Sequence, residues 1–114
     1  MQKSIIDQLA HALGRRDEVP NIMLAEIICA NDDTKAIKEL VTLLQHKSGA
    51  IRNDAIKVLY EAGERKPDLI AGHIENFLAA LGHKDNRMKW GAMSALSAIS
   101  IAKPELLATH LPVI

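Results

Sequence analysis

The sequence predicts an all-α protein built as a stacked helical solenoid, with about seven helices in three and a half helix-pair units. The first observation is an internal repeat: residues 43–77 lie over residues 80–114 without a gap, a shift of 37 positions. Identical pairs include Leu44/Leu81, His46/His83, Lys47/Lys84, Ala55/Ala92, Leu59/Leu96, Lys66/Lys103, Pro67/Pro104, Leu69/Leu106, Ala71/Ala108 and His73/His110. The second is periodicity: apolar residues recur at helical spacing between Gly, Pro and Asn/Asp clusters. Units of this length with helices inside them bury their apolar faces against their neighbours, so they stack.

The first helix is predicted over about 3–13, with Ile5, Ile6, Leu9 and Leu13 on one face, before GRRDEVP breaks it. A second begins near Pro20, whose missing amide hydrogen suits a first turn, and buries Ile22, Ala25, Ile28 and Cys29. Asn31-Asp32-Asp33 ends it and supplies cap oxygens for the next. The third, about 34–46, turns Ile37, Leu40, Val41 and Leu44 inward and Lys35, Lys38 and Glu39 to water. After the Lys47-Ser48-Gly49 turn, the fourth runs over about 50–64 with the stripe Ile51, Ala55, Val58, Leu59 and Ala62, which requires burial. Pro67-Asp68 opens the fifth, with Ile70, Ile74, Phe77, Leu78 and Leu81 apolar. The sixth, about 86–101, repeats the fourth through Met88, Ala92, Ala95, Leu96 and Ile99, and Pro104-Glu105 opens the seventh one period after Pro67-Asp68.

The units are therefore 1–33 (a degenerate first unit), 34–66, 67–103, and 104–114 as the start of a fourth. Leu106, Leu107, Leu111, Val113 and Ile114 give the seventh helix an apolar face, whereas terminal solenoid units carry a polar outer face. Further repeats or self-association through this face would cover it, and further repeats are the expectation.

Composition narrows the function classes. Hydrophobic residues make up 48% and charged residues 25%, a globular balance that excludes a disordered tail. With 14 basic and 14 acidic residues the net charge is zero, so no global field draws the chain to nucleic acid or anionic lipid. Cys29 is the only cysteine, which removes an intrachain disulfide and a multi-cysteine metal site and fits a reducing compartment; in IMLAEIICA it reads as a small core residue. No secretory leader follows Met1 and no apolar run reaches about 18 residues, so a cytoplasmic protein with no membrane partner is expected.

The paired helices, the Pro near the start of each first helix, and the basic residue early in each second helix (Arg52, Lys89) before Ala55 and Ala92 resemble HEAT repeats. In that family an Asp commonly occupies the turn between paired helices; Asp85 matches it, whereas Ser48 stands at the earlier equivalent. The stretches RKPDLIAGHIENFLAAL and NRMKWGAMSALSAIS are similar to bacterial and archaeal HEAT-like proteins of unassigned function. The resemblance covers 34–114 well, and 3–33 fit at a spacing of 30, with Ala25, Ile28 and Cys29 over Ala55, Val58 and Leu59. It implies a right-handed superhelix and a scaffold, and names no partner.

No Gly-rich phosphate loop, HExxH, GxSxG or ligand-spaced His/Cys set is present, so no catalytic residue, metal or cofactor is expected. His46/His83 and His73/His110 recur because the unit recurs, and units a helix-packing distance of about 10 Å apart cannot share one metal. His46 and His83 close first helices, where a ring complements exposed carbonyls.

In HEAT-like stacks the second helices line the concave face. There Met23, Asn53, Lys57, Tyr60, Trp90, Met93, Ser94 and Ser97 form a candidate groove for another protein or peptide, holding two of the three aromatics. Trp90 packed between units as core is the competing reading. A second candidate is the basic edge of the turns, Arg15, Arg16, His46, Lys47, Arg52, His83, Lys84, Arg87 and Lys89, which would track a nucleic-acid backbone but is diluted by Asp17, Glu18 and Asp85. Alkylpurine DNA glycosylases are similar in fold, but their pocket relies on several Trp residues and an Asp. Here Trp90 is alone, and Asp54, the nearest acidic candidate, has Gly91 as its counterpart one unit on, so no paired carboxylate is present.

Overall fold

Capping residues and prolines divide the chain into seven α-helices with no strand among the described residues: α1 (Ile5–Gln8), α2 (Val19–Ala30), α3 (Thr34–Leu43), α4 (Gly49–Arg65), α5 (Ile74–Ala80), α6 (Asn86–Ala102) and α7 (Pro104–Ala108). The computed structural model describes residues 5–11, 13–14 and 18–108, with side chains as far as Leu106. The apolar tail beyond it, Leu111 to Ile114, lies outside the described residues, as does the side chain of Leu107.

α3, α4 and α6 each start on a side-chain cap. Asp33 accepts from the Ala36 N–H at 3.0 Å, Ser48 from Ile51 N–H at 3.4 Å and Asp85 from Arg87 N–H at 2.9 Å. Ser48 therefore performs at its unit the capping that Asp85 performs one period later, a contribution of about 1 kcal/mol each. The histidines before these caps act differently from the expectation. His46 Nδ1 and His83 Nδ1 accept from the N–H groups of Ser48 and Asp85, both at 3.0 Å, so the rings serve the next helix rather than the carbonyls of the last. The His46 carbonyl is met instead by Arg52 Nη1 at 2.6 Å.

Three predicted helices are shorter than their apolar pattern. The first, expected to Leu13, ends at Gln8 because the amides of Ala10 and His11 bond to side chains of α2 and α4 instead of carbonyls one turn back. Leu13 consequently lies exposed instead of facing the core. The third stops at Leu43, and Leu44, Gln45 and His46 continue in tighter turns bonded three residues back. The fifth begins as two single 3₁₀ turns, Pro67–Leu69 and Ala71–His73, before α5. These turns bring the fully buried Ile70 onto α4 at Gly63, where any Cβ would overlap it.

α4 packs between α2 and α6, α3 lies on α4, and α5 lies on α6. The predicted stripes are buried at these contacts: Ile51, Ala55, Val58, Leu59 and Ala62 on α4, and Met88, Ala92, Ala95, Leu96 and Ile99 on α6. On α2, Leu24, Ala25, Ile28 and Cys29 are buried, while Ile22, expected inside, is only half-buried because Asn21 takes the inward position. Ile56, outside the predicted stripe, is also buried, since Gly91 lets α6 approach so closely that a Cβ there would stand 2.5 Å from Ile56 Cγ1. Outside the core, Lys66 pairs with Asp32 at 2.7 Å and Lys103 with Asp68 at 3.3 Å, each from the end of one long helix to the turn after the preceding one. Both pairs are solvated and contribute little energy.

Candidate functional site

The face made by α2, α4 and α6 carries most of the exposed large apolar side chains. On α6, Trp90, Ser94, Ser97 and Ile101 follow the i, i+4, i+7, i+11 spacing and share one face. Trp90 is 67% exposed and Ile101 84%, and Met93 beside them is half open to solvent. Trp90 is thus a surface residue and not packing between helices. A shallow hollow of ≈ 530 Å³ runs along this face, lined by Trp90, Met93, Ser94, Ser97 and Ile101 of α6 together with Glu64 and Pro67. A second hollow of ≈ 240 Å³ meets it at Trp90 and Ser94 and extends to Asn53, Lys57 and Tyr60 of α4, with Arg87 and Glu18 on its wall.

Seven of the eight predicted groove residues are brought together in this way. Met23 is not: it lies 56% exposed in a separate hollow of ≈ 350 Å³ with Leu13, Val19, Pro20 and Ile27. Register alone placed it with Asn53 and Trp90, and register does not report where the surface folds inward.

Lys57 is held rather than presented. Its ammonium lies 2.8 Å from Glu61 and 3.2 Å from Glu18, and 4.8 Å above the Tyr60 ring. Burial works against its charge, but the hydrogen bonds to Glu61, Tyr60 and Glu18 outweigh that and raise its pKa above the ordinary lysine range. Glu61, partly desolvated, is nonetheless kept below the usual carboxylate range by Arg65 and Lys57. Glu64, one turn further from Lys57, is exposed on the rim of the larger hollow, and no ion pair engages it among the described residues. Asn53 Oδ1 in the smaller hollow is buried without a hydrogen-bond partner among the described residues.

The basic edge fares differently. Arg15 and Arg16 lie outside the described residues. Lys47, Lys84 and Arg87 are exposed and Lys89 is half-buried, whereas Arg52 is bound to the His46 carbonyl and its Nε is buried without a partner. Arg52 thus spends one of its guanidinium hydrogen bonds within the chain.

A polar cluster escaped the sequence reading. Asn21 is fully buried; its Oδ1 accepts from Ala10 N–H at 2.9 Å, and its Nδ2 donates to Asp54 Oδ1 at 2.8 Å. Asp54 Oδ2 accepts from His11 N–H at 2.8 Å. Both Asp54 oxygens therefore tie the N-terminal segment to α2 and α4, away from the hollows at Trp90. The signal was present: at the spacing of 30, Asn21 occupies the position of Ile51 and, one unit on, Met88, both buried and apolar. A polar residue in such a row must find partners.

No helix among the described residues is long and apolar enough to cross a membrane. Comparison of the chain with protein-family models, with curated proteins and with solved structures returned no significant match.

Proposed function

We propose that the chain is a non-catalytic protein-interaction module of HEAT-like solenoid form, which binds a protein or peptide partner on the face made by its second helices. The observation that carries this reading is Trp90, the only tryptophan of the chain, standing 67% exposed where two hollows meet. An indole surrounded by Met93, Ile101 and two small serines offers a large apolar area with open space beside it, the composition of a binding hot spot. The solenoid form is supported by contacts that recur one unit apart: the Ser48 and Asp85 caps, the His46 and His83 acceptors, and the Lys66–Asp32 and Lys103–Asp68 pairs.

Trp90→Ala is expected to leave the fold intact, since a surface substitution changes stability by about 0.5 kcal/mol or less. It is expected to abolish partner recovery in a pull-down from native extract, while charge reversal at Lys47 and Lys84 leaves recovery unchanged. Unchanged recovery by the Trp90 variant would end the groove reading. Loss confined to the Lys47/Lys84 reversal, with salt-sensitive DNA binding by the parent, would favour the basic edge and nucleic acid.

A further inference from the structure

We infer that the groove takes a protein segment that pairs a bulky apolar residue with a lysine or arginine, the apolar residue seated on Trp90 and Met93 and the cation at Glu64. Such a partner presupposes the groove's role in protein binding and adds the chemistry of what enters it.

The charge arrangement points this way. Among the carboxylates on α4's open side, Glu61 is consumed by Lys57 and Arg65, the latter at 2.8 Å. Glu64 is left over, exposed, and lines the same hollow as Trp90. Among the described residues no cation stands over the indole, as Lys57 is occupied above Tyr60. A basic residue of the partner would meet an uncompensated carboxylate there, while its apolar neighbour covers the indole. The neighbouring hollow meets this one at Trp90 and Ser94. Arg87, on the wall of that second hollow, carries the opposite charge at the other end of the face, so the groove is polarised. A segment with its basic residue at Glu64 is accepted in one orientation only.

The probe is a random peptide library displayed on phage and selected against the full chain, with Trp90→Ala as the control that identifies groove binders. Binders lost on Trp90→Ala are expected to be enriched in Lys or Arg next to Leu, Ile, Met or an aromatic. Synthetic copies of these peptides should bind E64K about tenfold more weakly, with R87E changing affinity by less. Selection on E64K should yield Glu or Asp in place of the basic residue. Trp90-dependent binders without a basic excess, or a basic excess that E64K leaves in place, would overturn the inference while leaving the groove's role standing. Absence of any Trp90-dependent binder would overturn both.

Discussion

Phe77→Ala is expected to destabilise the protein by about 3–5 kcal/mol, the usual range for deleting a fully buried aromatic. Phe77 has no exposed surface and is among the largest fully buried side chains of the described residues. Its helix, α5, has seven residues, too few to persist without packing, and it lies on α6. Ile74 and Ala80 are the other buried residues of that helix and cannot fill the volume the ring leaves. A domain of this size is stable by about 5–15 kcal/mol, so at the lower end of that range the largest of these losses leaves the variant about half unfolded. Urea unfolding followed by circular dichroism measures the loss. A cost of about 0.5 kcal/mol or less, the range of surface substitutions, would mean that α5 does not pack as described.

Asp54→Ala is expected to cost about 2–4 kcal/mol: two hydrogen bonds to a charged group, at about 1.5–3 kcal/mol each, are lost, and the exposed His11 N–H recovers part of its share from water. The carboxylate is the acceptor for His11 N–H and Asn21 Nδ2. Without it Asn21 stays fully buried with its amide group unpaired, and the segment after α1 loses a tie to α4. Part of the loss should be local. Hydrogen exchange at Ala10 and His11 should accelerate strongly, while amides in α4 and α6 away from residue 54 keep their protection. Unchanged exchange at Ala10 and His11 would show that Asp54 is not holding this segment. Asp54→Asn is the informative companion, since it preserves one acceptor oxygen but places an NH₂ against a donor, and it should recover only part of the loss.

The helical stripes were the most legible part of the chain. On α4 and α6 the i, i+4, i+7, i+8, i+11 pattern identified five buried positions each, because a helix must bury a continuous apolar face and repetition at 37 positions gave the pattern twice. Helix ends were less legible. α1 stops at Gln8 although its apolar period continues, because acceptors 11 and 43 residues away, Asn21 and Asp54, capture its next amides. No local pattern reports a long-range acceptor. Ile56 was missed for a related reason: its burial depends on the absent side chain of Gly91 in another helix.

The candidate site divides along the same line. Trp90, Met93, Ser94 and Ser97 share a helix, and their spacing alone aligned them. Asn53, Lys57 and Tyr60 joined them through the repeat. Glu64, Pro67 and Ile101 complete the larger hollow but were not singled out, although Ile101 continues the Trp90 row at i+11. Glu64 reads in sequence as one more solvated glutamate. Only the structure shows that it lines the same hollow as an uncovered indole.

Whether Trp90 stands in an open groove can be read from its own fluorescence, since no other tryptophan contributes to the signal. Water-exposed, red-shifted emission is expected in the native protein, with acrylamide quenching close to that of the urea-unfolded chain. Blue-shifted native emission with strong protection from acrylamide, both released on unfolding, would place the indole inside the packing between helices and contradict the groove.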